Sequence, residues 1–464
     1  MKWFPKVPTF PLGILVILAI AGVTSVIVVL LPTVESRGIQ FWVYYRPFRD
    51  SYMGKVDEWN RAHPETPLAM TLLSGDALER RTLSGFLAGT PVGDLIALHD
   101  LILAKAFLGP VDQVGLLDLT DRLHAEGLYA QINEPSFSPM TSRGRIFALP
   151  RDVHPVLLAY RADIVEAAGI DVSEIETWDD YFRVMRPLMV DRDGDGRPDR
   201  YLLDLSETRW QVIAMLLLQN DGELFDEQDR PIFASERNAE TLARIIPWMT
   251  GPGRAAIGIP ETAAGHKQML DGLVVGTLAC DFHLGLWKME NPQLAGKIKL
   301  MSLPVFEPGG RRTSVYVGSS MVGINKRSAY TEECWEILKA LLLSAEVAER
   351  AWRETNILSP MKTLWGEPFY HEPDPFYGGQ LVGPLYMEAA PHVPHRPSSP
   401  YAPMAYSYLA NGTMALLSYA EKHEIYDPVS LKPEALRLLQ QQQSRLEKLI
   451  SRNVFLEEAD SGAK

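Results

Sequence analysis

The chain has 464 residues, with 45 basic against 58 acidic side chains and a net charge of −13. The acidic balance argues against a nucleic-acid partner, which calls for basic clusters. With 46% hydrophobic and 9% aromatic residues it can bury a large core, and its length exceeds what one core usually serves, so two lobes are expected.

At the N-terminus, Lys2 and Lys6 precede an uncharged run from Leu12 to Leu31, twenty residues long. That length crosses a bilayer as a helix, with the positive flank left in the cytoplasm. The expectation is a cytoplasmic stretch 1–11 and a transmembrane anchor over 12–31, with the rest facing outward. A cleaved signal ending near Ala19-Ile20-Ala21 is the competing reading. Beyond residue 32 the chain carries 43 basic and 58 acidic residues, a net charge of −15 that suits a soluble exported domain.

Ile39 to Tyr45 reads as a first strand, rich in aromatic and β-branched residues. A helix follows from Tyr52 to Ala62 and stops at Pro64; Leu68 to Leu73 is a second strand. Asp76 to Ala88 is helical, and Gly89-Thr90-Pro91 turns into a third strand over Asp94 to Leu98. This alternation predicts an open parallel sheet flanked by helices. Val156 to Tyr160 is an apolar strand. Arg161-Ala162-Asp163 opens a helix that stops at Gly169, and Thr177 is placed to cap the next.

Asp191 to Asp199 is an acidic loop with the spacing of a Ca²⁺ site. Asp191, Asp193, Asp195 and Asp199 supply oxygens at positions one, three, five and nine, Arg197 a backbone carbonyl at seven, and Gly196 the sharp turn at six. Position twelve is Leu202, so the bidentate acid is missing. A weak, structural Ca²⁺ is the expectation; a solvated acidic turn is the alternative.

Helices are expected over Trp210 to Asn220 and Glu236 to Trp248. Strands follow through Cys280, over Lys299 to Pro304 and over Tyr316 to Ile324, then a helix over Ala329 to Leu343. Residues 359–405 lack helical period. Tyr406 to His423 and Leu431 to Asn453 read as closing helices, and 454–464 as a loose tail. Cys280 and Cys334 read as buried thiols, although an exported location also permits a disulfide.

The segments Tyr160-Arg161-Ala162-Asp163, Ala168-Gly169-Ile170 and Thr177-Trp178-Asp179-Asp180-Tyr181 follow one another in an order that resembles the extracellular solute-binding proteins of ABC importers. The likeness is to family 1, the carbohydrate-binding, maltose-binding-like kind. Three further stretches, IQFWVYY, WNRAHPETPLAM and LAGTPVGDLIAL, match that pattern in order and spacing. So do the Asp221-Gly222-Glu223-Leu224-Phe225-Asp226 loop and the small-residue strand Tyr316 to Ile324. Together they cover roughly residues 39–450.

The resemblance implies an α/β, two-lobed, type II periplasmic-binding-protein-like fold with a ligand cleft between the lobes, preceded here by the one transmembrane helix. It implies a first lobe of 36–150 plus about 281–325 and a second of 151–280 plus about 326–453. It implies capture of a carbohydrate by hinge closure, delivery to ABC permease subunits, and no catalysis. A sensory ectodomain and a carboxylate-pair glycoside-processing enzyme remain the alternatives. Relatives are often tethered through a lipidated Cys near the N-terminus; no Cys precedes Cys280, so a helix would take over that task.

Ligand-binding residues are then expected at strand ends. Tyr44, Tyr45 and Arg46 end the first strand, and His99 and Asp100 the third. Asp152 and His154 lie on the crossover, and Trp210 opens a second-lobe helix. Asp281, Phe282, His283 and Trp287 follow the Cys280 strand. Ser319 and Ser320 stand on the second crossover, and Tyr401 in the late coil. Aromatics would stack on sugar faces and the polar groups would bond hydroxyls.

Overall fold

The computed structural model describes residues 12–30 and 37–453, apart from Arg192, Glu261 and Pro397. The expected cytoplasmic stretch 1–11, Leu31 and the tail 454–464 lie outside the described residues. Leu12–Leu30 is a 19-residue helix without a charged side chain. Among the described residues, no helix is long and apolar enough to cross a membrane.

The first passage of the chain makes β1 (Ile39–Val43), β2 (Leu68–Leu72), β3 (Leu95–His99), the hairpin β4 (Thr141–Ser142) and β5 (Arg145–Ile146), and β6 (Leu149–Pro150). It then enters a second sheet with β7 (Pro155–Arg161), β8 (Tyr201–Asp204), β9 (Ala256–Ile257), β10 (Val274–Cys280), β11 (Ile298–Met301) and β12 (Ser314–Val315), and returns with β13 (Ser320–Ile324). The first sheet runs β2-β1-β3-β13-β6 and the second β11-β7-β10-β8-β9, with β12 beside β7. The sheets are mixed rather than purely parallel, because β13 is antiparallel to β3 and β7 is antiparallel to both β10 and β11.

Strand β7 shows why the second lobe holds. Its seven residues are all buried. Leu157 and Ala159 join one apolar cluster while Val156, Leu158 and Tyr160 join the other. Successive side chains leave opposite faces of a strand, so a continuous apolar run is what a sheet covered on both sides requires. One face is covered by the helices Trp210–Gln219, Glu236–Met249, Ala402–His423 and Pro428–Ile450. The other meets residues 356–393, where Tyr370, Tyr377 and Tyr386 are completely buried; this stretch, expected to lack helical period, includes the helix Val382–Ala389.

The lobe boundaries differ from the expectation. Within 281–325, β11 and β12 both pair with β7, so the chain re-enters the first lobe only at β13. Within 326–453, the helices Thr331–Leu342 and Ala345–Thr355 pack on the first-lobe helix Arg46–Ala62. The two long closing helices pack mainly on the second lobe, through Glu236–Met249 and Trp210–Gln219. Apolar periodicity tells which face of an element is buried, not which strand or helix it meets.

Local signals hold where the partner is near in sequence. Thr177 Oγ1 accepts from Asp180 N at 3.1 Å and the Asp180 carboxylate accepts from Thr177 N at 3.1 Å, a complete capping box. Both cysteines are buried and free.

Candidate functional site

Two strand crossovers join the lobes, Asp152–His154 between β6 and β7 and Tyr316–Ser319 between β12 and β13. They are stitched together. Arg151 N donates to Ser320 O at 2.9 Å, Ser320 N donates to the Asp152 carboxylate at 2.9 Å, and Tyr316 N donates to His154 O at 3.2 Å. His154 has a φ of 56°, a left-handed backbone that a residue with a Cβ seldom adopts. Its ring lies between two acids, with Nδ1 2.6 Å from Asp281 Oδ1 and Nε2 3.2 Å from Asp152 Oδ2. Burial alone would lower the imidazole pKa; the two carboxylates outweigh it and push it up to about 10. Asp281 also accepts from Phe282 N at 2.8 Å and Leu358 N at 3.0 Å.

A third crossing, the coil before the helix Ala402–His423, brings Arg396 to Asp100, with Nη1 2.6 Å from Oδ2. Gly318 N and Leu101 N donate to the same carboxylate at 3.0 and 2.7 Å. Arg396 Nη2 reaches Ser319 Oγ at 3.4 Å, and Tyr44 OH shares a 2.8 Å hydrogen bond with Ser320 Oγ.

Beside this junction the carboxyl ends of β8, β9 and β10 open onto a cavity of about 520 Å³. Arg209, Thr262, His266, His283, Trp287 and Tyr316 are among its lining residues, with Phe282 and Asp204. Its polar groups have partners within the wall. Asp204 lies 3.2 Å from Arg209 and accepts from Ile259 N at 2.9 Å, and His266 Nε2 lies 3.4 Å from Glu290. Burial, the His154 imidazolium and Arg209 together push the His283 pKa down to about 3, so its ring is neutral and packs edge-on against Tyr316 at 4.4 Å. From the first lobe, Tyr45 meets Phe282 edge-on at 6.0 Å. The wall therefore offers aromatic faces and neutral or paired polar groups, the lining that a polyhydroxylated, uncharged solute needs.

The residues expected from sequence divide accordingly. His283 and Trp287 line the cavity and Tyr45 touches its edge. Tyr44, Asp152, His154, Asp281 and Ser319 come together at the junction, where each has a protein partner, as does Asp100. An acid at a strand end must find a partner when buried, and here the partner is Arg396, His154 or a backbone N–H. Arg46 begins the helix Arg46–Ala62 and is exposed. Trp210 packs against Tyr406, rings tilted at 34° with centroids 4.7 Å apart, in an apolar cluster with Leu101 of the first lobe. Tyr401 lines a different cavity, of about 760 Å³, where its hydroxyl accepts from Asn453 Nδ2 at 2.7 Å. The sequence reading misses Asp204, Arg209, Thr262, His266 and Tyr316. The polar run Ser206-Glu207-Thr208-Arg209 between a strand and a helix was the available signal for the first two.

Residues 46–348 match the sequence pattern of the bacterial extracellular solute-binding proteins. The chain belongs to that family. It is 24% identical over 342 residues to an arabinooligosaccharide-binding protein of Halalkalibacterium halodurans, covering 73% of this chain and 74% of that one. A protein of the same description from Bacillus subtilis is 25% identical over 325 residues, 68% of this chain and 71% of the other. Among solved structures, the sugar-binding protein MalE of Xanthomonas citri superposes with a TM-score of 0.69 at 16% identity, covering 88% of this chain and 99% of its own. At that identity the likeness speaks to the fold.

In this solute-binding protein the acidic loop lies away from the cavity, on the second lobe before β8. Asp191, Asp193 and Asp195 bring carboxylate oxygens within 4.8 Å of one another. Asp191 accepts from Gly194 N and Gly196 N at 2.7 and 2.9 Å, and Asp195 from Arg197 N at 2.8 Å. Gly194 and Gly196 have φ of 77° and 83°, which glycine alone tolerates without strain. Leu202, at position twelve, is buried in β8, and Asp204 is held by Arg209, so neither completes the ligand set. The donors fit a hard cation with open positions left to water.

Proposed function

We propose that this protein captures a neutral oligosaccharide outside the cytoplasm, in the cavity at the carboxyl ends of β8, β9 and β10, and delivers it to an ABC permease by closing its lobes. The observation that carries the reading is the composition of that wall: Phe282, Trp287 and Tyr316 beside the paired Asp204 and Arg209. An anionic solute would call for an uncompensated cation, and a cationic one for an uncompensated acid. The arabinooligosaccharide-binding relatives support a pentose or hexose oligomer as the class. A glycoside-processing reading needs two carboxyl groups free to act on a substrate. Asp152 and Asp281 instead share one imidazole, which favours binding without catalysis. The Asp191, Asp193, Asp195 cluster with the Arg197 carbonyl and Asp199 supports a weak structural Ca²⁺ site.

The test is a thermal-shift screen of the outward part of the chain against arabino- and malto-oligosaccharides, with amino acids, peptides and sugar acids as controls. A ligand at a thousandfold its Kd adds about 4 kcal/mol to the native state. A shift with neutral oligosaccharides that disappears in Trp287→Ala supports the assignment. A shift with sugar acids or peptides alone overturns it.

A further inference from the structure

Asp152 and Asp281 belong to different bodies. Asp152 is tied to the first lobe, because its carboxylate takes the Ser320 N–H at the start of β13 and its neighbour Arg151 donates to Ser320 O. Asp281 is tied to the second lobe, as the residue after β10 and the first of the helix Asp281–Glu290. Between them stands one ring, His154, at 3.2 Å from the first acid and 2.6 Å from the second. Both acids are among the most buried polar residues of the chain, at 1% and 0% exposure.

We propose that His154 is the positioning residue of the hinge: an imidazolium bridging a first-lobe and a second-lobe carboxylate, which sets the angle at which the lobes rest and so the ease with which they close on solute. The inference rests on the reading of the chain as a binding protein that closes, but not on which solute it takes.

The geometry supports a hinge role over simple filling of the core. A buried ion triad is poor stabilisation compared with apolar residues of the same volume, because removing charges from water costs several kcal/mol per ion. Such groups are better suited to holding one arrangement among several. The bridge sits where the two strand crossovers are stitched together, so a rotation of the lobes must change at least one of its two contacts. The left-handed φ of 56° at His154 adds backbone strain at the same point. Strain of this kind persists where the surroundings over-determine a conformation. Direct contact with solute is not available to His154, since both ring nitrogens are engaged. It therefore acts through the lobes.

The experiment measures interlobe distance in the protein without solute. Spin labels on Glu65→Cys and Glu174→Cys, both exposed, report one lobe against the other, while the native cysteines are buried. His154→Gln is compared with the parent by pulsed electron resonance. Because two facing carboxylates could unfold that variant, the neutral triple substitution Asp152→Asn, His154→Gln, Asp281→Asn is measured beside it. The triple variant keeps hydrogen-bonding side chains and removes the charges. A shifted and broadened distance distribution in the triple variant, with one cooperative melt and unchanged circular dichroism, supports the hinge role. A distribution that superposes on the parent in both variants overturns it, whatever happens to the melting temperature. Arabinotriose is then added as the probe. A parent that narrows with it while the triple variant does not adds support; a triple variant that narrows as the parent does counts against. If arabinotriose moves neither, the sugar assignment is what suffers, and the distances without solute still decide the hinge.

Discussion

Arg396 and Asp100 close the third crossing between the lobes. The guanidinium arrives on the coil before the helix Ala402–His423, and its Nη1 lies 2.6 Å from Asp100 Oδ2 at the end of β3. Burial by itself favours the neutral acid; Arg396, His99 and the Gly318 N–H outweigh it and hold the Asp100 pKa at about 2. The site thus satisfies its own acid.

Removing one partner of such a buried pair leaves a charge without compensation. Arg396→Met is expected to lose about 3–5 kcal/mol of unfolding free energy. The double variant Asp100→Asn, Arg396→Met is expected to recover a large part of that loss. Urea denaturation at neutral pH measures both, and equal losses in the single and double variants would mean that packing rather than charge is at stake.

Asp229 has the opposite sense to Asp100. Burial raises its pKa from 3.8 to about 6, only partly offset by Arg143 at 4.0 Å across the lobes. The folded state then binds the proton more tightly than the unfolded state, so stability from this group falls as pH rises from about 4 to 6. Asp229→Asn is expected to melt higher than the parent above pH 6, with the difference vanishing near pH 4. Paired melts across that range check it.

His154 governs the alkaline side. Its folded pKa of about 10 lies above the ordinary 6.5, so its contribution is fully present below 6.5 and is lost as pH rises through 10. Lysines and tyrosines titrate in the same region, so the informative quantity is the difference between parent and His154→Gln. That difference should shrink steadily from pH 7 to pH 10 in chemical denaturation.

Gly285 lets the helix Asp281–Glu290 lie against the end of Ala345–Thr355. A Cβ there would stand 2.1 Å from Thr355 O, a backbone atom that cannot swing aside. Gly285→Ala is expected to cost about 1–3 kcal/mol or more through forced backbone movement. A melting temperature equal to the parent's would contradict this close approach.

The acidic loop has its own readout. Millimolar Ca²⁺ is expected to raise the melting temperature above that in a chelator, and Asp193→Asn to remove most of the rise. A rise that persists in Asp193→Asn would place the cation elsewhere.

The first three strands with their helices, the Thr177 cap and the buried run of β7 were legible in the sequence. Each depends on residues close along the chain, where alternation, capping and helical period act directly. The lobe membership of β11, β12 and the helices after Thr331 was not legible, since antiparallel pairing with β7 is a choice among partners far away in sequence. Nor was the fate of the acids. Asp100, Asp152 and Asp281 at strand ends look the same in sequence whether a sugar hydroxyl, Arg396 or His154 will meet them. Only the tertiary structure decided, by bringing Arg396 to Asp100 and His154 to Asp281 from distant segments within hydrogen-bonding range. It also set Phe282, Trp287, Tyr316 and the paired Asp204 and Arg209 around one cavity. Burial makes a partner obligatory; the fold alone chooses which one.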